Sequence, residues 1–519
     1  MRSIDYFDRG CDLGPDRLAL IDAETRFTFA EAATLTKRVA VAMAANGFVS
    51  QQPVALYAPN SATLMLALLS IWRANGKWIP VNTRNAIDAN AAYLDYVGCE
   101  WMFYHSSLAG EVAELKARVG ALKHFVCLDR PFEGDPCLDD FIAGHEAERF
   151  VDRGDAFGNL EDVVGIFPTG GTTGPSKGVN VTNLGWSTML QIAGNMMGGR
   201  ADDPRTLVVA PITHAAGPVS LATLALGSTQ VILPGFDAEK VLNAIQSQRI
   251  THMYLPPTAL YGLLDSPSLG KFDTSSLKLF LLVGSPVAPE KLRQAVGAFG
   301  PCMCQGYGQV EAPMLVSWLS PEDVARAAGG DHPERLASCG RPTYPIRVGV
   351  MGDDGTLLPA GARGEIVVRG ALVSRDYFEK PEATAEVRTG GWHHTGDVGY
   401  RDQDGFLYIV DRKKDMVITG GFNVFSAEVE AAIMELGAVV ECAVIGVPHA
   451  KWGEAVMAFV VRRGDIDEAA VIAHAKDRLG GVKAPKSVSF VETIPRTPAG
   501  KTDKKALRQP YWSGDRMVS

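Results

Sequence analysis

Residues 167–178 combine glycine, hydroxyl and basic side chains in the manner of an anion-binding loop. They contain four Gly, three Thr, one Ser and Lys177. Glycines let successive backbone N–H groups approach an anion, the hydroxyls donate hydrogen bonds, and the lysine adds positive charge. A Walker A loop is excluded, because Ser176 stands where that motif has Gly, and Gly178 follows the lysine in place of Ser or Thr. We therefore predict phosphate binding here in preference to an ordinary surface turn.

A second segment, residues 305–311, places Tyr307 between two glycines and ends at Glu311. It follows a strand-like stretch, and a ring flanked by glycines can stack on a flat ligand without obstruction. The Glu311 carboxylate is a hard oxygen ligand that suits a Mg²⁺ ion held mainly by nucleotide phosphates. Taken alone, the same pattern describes a strand end with a surface glutamate.

Two further segments carry polar groups that could meet a nucleotide. Asp397 follows Thr395 and Gly396, and its carboxylate can accept both hydroxyls of a ribose, while Arg412 can donate to the same sugar. Near the end of the chain, residues 495–501 form a loop of Pro and Gly that presents Lys501. A lysine in such a loop is usually exposed to solvent without a specific role, so Lys501 is a candidate only in combination with the other segments.

The elements that must position these residues alternate along the chain. Short apolar runs bounded by Gly and Pro, such as residues 54–57, 206–210 and 277–283, are typical of parallel strands buried on both faces. Their alternation with amphipathic stretches predicts an α/β architecture. From about Gly364 the strands become shorter, and one helix is predicted over 427–436 with Ser426 as its N-cap.

Composition limits the class of protein. The chain has 519 residues, 46% apolar and 21% charged, which excludes collagen-like, coiled-coil and disordered chains. The net charge of −9 argues against a general nucleic-acid binder. The longest apolar run, residues 62–72, is shorter than the roughly 20 residues that cross a bilayer. The first residues lack the apolar stretch of an export signal, so we expect a cytoplasmic protein.

In this order the four segments resemble the adenylate-forming, or AMP-binding, superfamily, which includes acyl-CoA synthetases, firefly luciferases and peptide-synthetase adenylation domains. The resemblance runs from about residue 28 to residue 507. It implies a large N-terminal domain of stacked, helix-covered β-sheets over 1–413 and a small mobile α+β C-terminal domain over 414–519. The hinge between them would be Lys414.

The resemblance also implies the roles of individual residues. Lys501, Lys177 and Glu311 would be catalytic, with Glu311 holding Mg²⁺ and Lys501 neutralising charge during adenylation. The implied ATP- and AMP-binding residues are Thr169, Gly170, Gly171, Thr172, Thr173, Gly174, Lys177, Gly306, Tyr307, Gly308, Gln309, Asp397, Arg412 and Lys501. The implied CoA-binding residues are Gly420, Gly421, Trp452, Lys483 and Lys486.

The implied activity is that of an ATP-dependent carboxylic acid–CoA ligase that forms an acyl-adenylate and releases AMP and pyrophosphate. The acyl pocket would include His214, Gly284 and Ser285. The absence of Arg and Lys from residues 212–217 and 283–286 favours a fatty or aromatic monocarboxylic acid. His214 is either a pocket wall or a core histidine.

The sequence leaves alternatives to this activity open. The chain could load a carrier protein, although no carrier domain follows Ser519, or act as a luciferase-like oxidase. Val310 stands where the family usually has Thr, and Gly170 where many relatives have Ser. The change at Val310 raises the alternative of a non-catalytic nucleotide-binding homologue. The oligomeric state is open, with a homodimer among the choices.

Overall fold

The structure is a computed structural model of the chain, and it describes residues 1–169, 177–199, 201–497 and 502–512. The strands are β1 (Leu18–Ile21), β2 (Arg26–Thr28), β3 (Pro53–Tyr57), β4 (Lys77–Pro80), β5 (Trp101–Tyr104), β6 (His124–Cys127), β7 (Val163–Pro168), β8 (Gly178–Thr182), β9 (Arg205–Val208), β10 (Thr229–Ile232), β11 (His252–Leu255), β12 (Leu279–Leu282), β13 (Met303–Gln309), β14 (Ala312–Leu319), β15 (Arg341–Pro342), β16 (Arg347–Met351), β17 (Gly364–Arg369), β18 (Asp376–Tyr377), β19 (Arg388–Thr389), β20 (Trp392–Arg401), β21 (Leu407–Arg412), β22 (Val417–Thr419), β23 (Phe422–Val424), β24 (Val439–His449), β25 (Gly453–Arg462) and β26 (Ser487–Phe490). The α-helices are α1 (Ser3–Leu13), α2 (Phe29–Ala45), α3 (Ala62–Arg73), α4 (Ile87–Tyr96), α5 (Ala109–Arg118), α6 (Leu138–Ile142), α7 (Asn183–Met197), α8 (Gly217–Leu224), α9 (Ala238–Ser247), α10 (Pro257–Leu264), α11 (Pro289–Phe299), α12 (Pro321–Ala328), α13 (Pro381–Glu386), α14 (Ser426–Met434), α15 (Glu468–Leu479) and α16 (Lys504–Arg508).

The described residues fall into two compact units. The first takes those within Met1–Thr169, Pro175–Arg347 and Val368–His393, and the second takes those within Val348–Val367 and His394–Ser519. The predicted boundary at Lys414 lies inside the second unit, between β21 and β22. A hinge at Lys414 stays a prediction.

Two large sheets form the first unit. A nine-stranded sheet has the order β15-β14-β13-β12-β11-β9-β10-β1-β2, and a seven-stranded sheet has the order β18-β8-β7-β4-β3-β5-β6. The strands from β13 to β1 in the first order and from β7 to β6 in the second pair parallel. At the ends of the two sheets, β2, β14, β15, β8 and β18 pair antiparallel with their neighbours. The predicted α/β class and larger first unit are confirmed.

The buried strands of these sheets coincide with the apolar runs of the sequence. Residues 54–57 lie in β3, and the cores of the runs 206–210 and 277–283 become β9 and β12. All four residues of β12 are buried, as expected of a strand covered on both faces. The apolar run 62–72 becomes α3, which begins after Ser61, whose Oγ accepts the Leu64 N–H at 3.0 Å.

The second unit contains a smaller sheet with the order β23-β22-β25-β24, with β26 pairing parallel to β25. Val429 and Ile433 of α14 and Val471 of α15 pack in one apolar cluster with strand residues such as Val444. A separate cluster joins Leu507 of α16 to strand residues including Ile445. The sequence pattern predicts only one helix here, α14, and leaves out α15 and the five-residue α16. Only Val471 and Ala475 of α15 are buried, so its apolar stripe is too narrow to stand out in the sequence.

A five-stranded sheet carries Asp397 and Arg412. Its order is β16-β17-β20-β19, and β21 pairs antiparallel with β20. The described residues include no helix that is long and apolar enough to span a membrane.

The start of α14 differs from the prediction. Ser426 is the first helical residue and Phe425 takes the N-cap position without a side-chain cap. The Ser426 Oγ instead donates to Asp411 Oδ1 at 3.1 Å and accepts a hydrogen bond from Lys504 Nζ at 2.6 Å. The N-cap prediction was wrong because a long-range polar network, invisible in the local sequence, recruits this hydroxyl.

Candidate active site

Thr169 and Lys177 lie at the two ends of the predicted phosphate loop. This loop joins β7 and β8, which form an antiparallel hairpin with Pro168 opposite Gly178. The Thr169 N–H donates to the Lys177 carbonyl at 2.9 Å, and the Lys177 N–H donates to Thr169 Oγ1 at 3.3 Å. The hairpin therefore fixes both ends of the loop. The other predicted ligands in this loop lie outside the described residues; they are Gly170, Gly171, Thr172, Thr173 and Gly174.

Glu311 lies at the tip of the β13–β14 hairpin. Gln309 pairs with Ala312, so Val310 and Glu311 form a two-residue turn. The sequence pattern predicts that residues 305–309 follow a strand, whereas in the structure they lie inside β13. This difference arises because Gly, a poor strand former, is accommodated here by close strand packing.

Gly308 shows that packing directly. A Cβ at this position would lie 2.5 Å from the Met314 backbone nitrogen, closer than real Cβ contacts allow. The neighbouring Gly306 is also crowded, with Val283 Cγ2 at 3.0 Å from its would-be Cβ. The approach of β14 therefore requires glycine at position 308, a structural reason that is separate from ligand access.

Tyr307 and Gln309 both lie on β13, but their side chains have different surroundings. Tyr307 is 8% exposed, so most of its surface is covered by protein. The Gln309 Nε2 atom is buried and has no hydrogen-bond partner among the described residues. A buried amide N–H without a partner is rare in folded proteins, and this one belongs to the residue two positions before Glu311.

Tyr377 connects Glu311 with Lys177 in the first unit. Its Oη donates a hydrogen bond to Glu311 Oε1 at 2.7 Å. Lys177 Nζ lies 5.0 Å from the centroid of the same ring, within cation–π range. The structure thus brings two of the predicted catalytic residues to one aromatic side chain that the sequence analysis did not single out.

Asp397 and Arg412 pair across β20 and β21 in the second unit. They are register partners of the two strands, and Arg412 Nε lies 2.7 Å from Asp397 Oδ1. Asp397 is 3% exposed, whereas the Arg412 side chain is 43% exposed. The two predicted ribose ligands therefore form an ion pair in which the arginine side chain is exposed to solvent.

Glu365 builds the turn that precedes Asp397. Its Oε1 accepts the Gly396 N–H at 3.0 Å, and its Oε2 lies 3.2 Å from His394 Nδ1. Gly396 has φ +70°, a left-handed conformation that favours glycine. The Asp397 N–H then donates to Thr395 Oγ1 at 3.1 Å. Glu365 is a positioning residue that sequence reasoning missed, because its only signal was a charge inside an apolar strand.

Lys414, the predicted hinge, follows β21 in the second unit. Burial and the neighbouring positive charge of Arg412 lower the pKa of the Lys414 ammonium from its ordinary value. A partly buried cation beside another cation is an unusual arrangement for a surface turn.

His214 lies at a kink in the turn Ile212–Ala216, where its φ of −137° and ψ of −135° are not helical, and it is exposed. The core-histidine alternative is therefore excluded, and the pocket role stays a prediction. Asn60 shapes this turn, since its Nδ2 donates to the Ala210 carbonyl at 2.9 Å and its Oδ1 accepts the Ile212 N–H at 2.8 Å. Gly284 and Ser285, the other predicted pocket residues, are exposed just after β12.

Gly420 and Gly421 form the two-residue turn between β22 and β23. Thr419 pairs with Phe422, and both glycines have positive φ, +57° and +82°. A hairpin turn with two left-handed residues strongly favours glycine at both positions. The pair therefore has a conformational reason to be glycine, besides any role in a thiol path.

Trp452 stacks on His449 with ring centroids 4.2 Å apart and an interplanar angle of 11°. The two predicted CoA lysines make internal contacts in this structure. Lys483 Nζ donates to both carboxylate oxygens of Glu428 at 2.8 Å. Lys486 Nζ donates to carbonyls of the preceding turn, including Ala484 O at 2.9 Å. Their contact with CoA would require these bonds to be exchanged.

Lys501 lies outside the described residues, but the segments that flank its loop are described. Arg496 and Thr502 form an isolated antiparallel bridge, and the Asp503 N–H donates to the Pro495 carbonyl at 2.8 Å. Lys504, three residues after Lys501, forms an ion pair with Glu430, and its Nζ lies 2.7 Å from Glu430 Oε1.

Within the described ranges, no three His, Cys, Asp or Glu side chains converge as a metal cluster. Glu311 offers one carboxylate, and Mg²⁺ usually takes one or two carboxylates together with phosphate oxygens and waters. The donor set fits a nucleotide-bound Mg²⁺.

Two family models match the chain. The AMP-binding enzyme model matches residues 7–378, and the model of the AMP-binding enzyme C-terminal domain matches residues 428–501. The chain belongs to the AMP-binding enzyme family. The resemblance inferred from the four segments is confirmed.

Curated relatives of this family carry CoA-ligase names. FadD8 of Mycobacterium tuberculosis, a medium/long-chain-fatty-acid–CoA ligase, is 43% identical over 364 residues, which are 68% of this chain and 62% of that protein. The alignment thus spans less than two thirds of FadD8. A feruloyl-CoA synthase of Amycolatopsis is 34% identical over 515 residues, 97% of this chain and 98% of that protein.

Solved structures of the family share the fold. The amide bond synthetase McbA from Marinactinospora thermotolerans matches with a TM-score of 0.87 and 31% identity, covering 98% of this chain and all (100%) of that chain. ATP-bound MatB from Rhodopseudomonas palustris matches with the same TM-score of 0.87 and 31% identity, covering 98% and 99% of the two chains. The AMP-binding fold is therefore present over nearly the whole chain.

Proposed function

We propose that this AMP-binding enzyme is an ATP-dependent carboxylic acid–CoA ligase. The observation that carries the proposal is the alignment over 97% of the chain with a relative named as a CoA synthase. The charged residues that the chemistry needs, Lys177, Glu311, Asp397, Arg412 and Lys501, are all present.

The first step activates the acid. A carboxylate oxygen attacks the α-phosphorus of ATP, the bond to the β-phosphate oxygen breaks, and pyrophosphate leaves. Such a displacement is catalysed by positioning and by neutralisation of charge. Lys177 and Lys501 would supply positive charge, and the Asp397–Arg412 pair would hold the ribose. When bound at Glu311, Mg²⁺ would neutralise charge on the nucleotide phosphates.

The second step transfers the acyl group. The thiol of CoA loses its proton, its sulfur attacks the acyl carbon of the adenylate, and AMP leaves. The Gly420–Gly421 turn would border the thiol path, and Trp452 and His449 offer a flat aromatic surface beside it. For binding of CoA phosphates, Lys483 and Lys486 would exchange their present internal contacts.

The acid we propose is a fatty or aromatic monocarboxylic acid. Residues 212–217 and 283–286 contain no Arg or Lys to bind a second carboxylate, and His214, Gly284 and Ser285 among them are exposed. Relatives are named for medium- and long-chain fatty acids, for ferulate and for indoleacetate. We also propose a cytoplasmic location and leave a homodimer as a prediction.

The similarity to an amide bond synthetase favours an amine acceptor as the second candidate. A panel of fatty and aromatic acids, assayed with ATP and Mg²⁺ by pyrophosphate release, would identify the acid. Mass spectrometry of the product formed with CoA, with an amine and with a carrier protein would then identify the acceptor. An acyl-CoA as the main product would support the CoA ligase proposal. An amide or an acylated carrier protein as the main product would contradict it and identify the other acceptor.

A further inference from the structure

Tyr377 contacts two residues of the proposed adenylation site through different parts of its side chain. The hydroxyl donates to Glu311 Oε1 at 2.7 Å, while the ring lies 5.0 Å from Lys177 Nζ. Among the described residues, no other hydrogen bond reaches the Glu311 carboxylate. The Oε2 atom of Glu311 therefore remains available to a further ligand.

The backbone around Tyr377 is held in place by β8. Asp376 and Tyr377 form β18, which pairs antiparallel with β8, and Tyr377 lies opposite Val179, two residues beyond Lys177. The Tyr377 N–H donates to Thr384 Oγ1 at 3.0 Å. These bonds fix Tyr377 relative to the end of the predicted phosphate loop.

The same segment also holds the backbone of Glu311. The Ser374 N–H donates to the Glu311 carbonyl at 2.8 Å. The Arg388 guanidinium donates to the carbonyls of Ser374 and Arg375. Glu311 is thus held at its main chain by Ser374 and at its carboxylate by Tyr377.

The hydroxyl of Tyr377 is suited to orient the carboxylate without neutralising it. A phenol hydroxyl is an uncharged donor, and that of Tyr377 donates its hydrogen bond to Glu311 Oε1 at 2.7 Å. A neutral donor leaves the full charge on the carboxylate, whereas a lysine at this place would cancel it. The charge is then available for a cation.

We propose that Tyr377 is a positioning residue that orients the Glu311 carboxylate toward a divalent cation bound with the nucleotide phosphates. The proposal rests on the proposed function, since it assumes that the site binds ATP. Groups that orient a metal ligand typically change metal affinity about 10- to 100-fold when they are removed. Tyr377→Phe removes the hydroxyl and keeps the ring near Lys177.

The test measures binding without turnover. Mn²⁺ is titrated, by its electron paramagnetic resonance signal, into the full-length protein with α,β-methylene-ATP and no acid or CoA. We expect Tyr377→Phe to raise the Mn²⁺ dissociation constant by about tenfold or more. Tyr96→Phe is the matched control, because the Tyr96 hydroxyl donates to the adjacent Phe378 carbonyl and does not touch Glu311.

A second set of variants separates positioning from folding. In a Glu311→Gln background, Tyr377→Phe should cause no further loss of Mn²⁺ affinity, because its effect passes through the carboxylate. Thr384→Val removes the acceptor of the Tyr377 N–H and should weaken Mn²⁺ binding by a smaller factor. This variant tests the positioning role if Tyr377→Phe does not fold.

The outcomes separate this inference from the proposed function. If the wild-type protein binds the nucleotide and Mn²⁺ but neither Tyr377→Phe nor Thr384→Val changes the Mn²⁺ dissociation constant, the positioning role is wrong and the ligase proposal stands. If the wild-type protein binds no nucleotide, both proposals fail. Equal losses in Tyr377→Phe and Tyr96→Phe would also overturn the positioning role.

Discussion

Asp397 and Arg412 are opposite each other on β20 and β21, and Arg412 Nε lies 2.7 Å from Asp397 Oδ1. Fifteen residues of sequence separate them, and a single hairpin brings them together. The buried carboxylate holds the exposed guanidinium in place, so the pair is pre-organised to bind a polar ligand.

We expect Asp397→Asn to weaken recognition of the ribose hydroxyls. A hydrogen bond to a charged group contributes about 1.5–3 kcal/mol, so KM for ATP should rise by about ten- to a hundredfold. The wild-type enzyme should discriminate against 2′-deoxy- and 3′-deoxy-ATP, and the variant should lose that discrimination. Steady-state kinetics with the three nucleotides measures this, with the exposed Asp404→Asn of the same hairpin as control. Unchanged discrimination in Asp397→Asn would contradict the ribose role.

Lys501 and Gly421 should affect different half-reactions. Lys501→Ala should slow adenylate formation by about 10² to 10³, as the loss of one charge stabiliser typically does. It should leave thioester formation from a supplied acyl-adenylate nearly intact. Gly421→Leu should show the reverse pattern, because it would fill the proposed thiol path.

The structure supplies a control for this pair. Gly421 has φ +82°, so any side chain there also strains the turn. Gly405→Leu places the same strain, φ +86°, in another open turn of the second unit. If Gly405→Leu impairs thioester formation as much as Gly421→Leu does, the effect is one of stability and the thiol path is wrong.

Val310 lacks the hydroxyl that the resemblance to the family implies at this position. We propose that the Gln309 amide, which has no hydrogen-bond partner among the described residues, or a hydroxyl of Thr172 or Thr173 replaces that donor. We therefore expect Val310→Thr to raise the adenylation rate less than tenfold, and Thr172→Val to lower it by more than that. Single-turnover pyrophosphate release measures both, with Val310→Ala as a control for shape. A hundredfold gain in Val310→Thr would show that nothing replaces the hydroxyl.

Lys504 lies among acidic groups in the second unit. Its Nζ is 2.7 Å from Glu430 Oε1, and its charge, with that of Arg508, offsets the burial of Asp415 and holds the pKa of that carboxyl below its ordinary value. Removing one partner of a buried ion pair typically costs about 3–5 kcal/mol. Lys504→Met should therefore destabilise the protein strongly in denaturant unfolding, and the exposed neighbour variant Lys505→Met should not.

The pH dependence follows from the same group. Burial lowers the pKa of Lys504, but Glu430 and the other carboxylates outweigh it and raise the pKa above its ordinary value. A raised pKa of a cation stabilises the fold below the unfolded value of about 10.4, and this stability is lost as the pH rises further. The wild-type protein should lose more unfolding free energy above about pH 10.4 than Lys504→Met does. Equal losses would contradict the assignment.

The sequence predicted the α/β class, the family and apolar strands such as β3, β9 and β12, because these depend on local patterns. It failed where long-range contacts decide. Ser426 caps no helix because Asp411 and Lys504 engage its hydroxyl, and α15 buries too few apolar residues to be visible. Tyr377 lies 66 residues from Glu311 in sequence and carries no local signal.

In the proposed reaction a carboxylate oxygen attacks the α-phosphorus of ATP. This step is tested with an acid labelled with ¹⁸O in both carboxylate oxygens and turned over with ATP, Mg²⁺ and CoA. We expect AMP that carries one ¹⁸O in its phosphate, together with pyrophosphate and an acyl-CoA. Unlabelled AMP, or ADP as the nucleotide product, would contradict it.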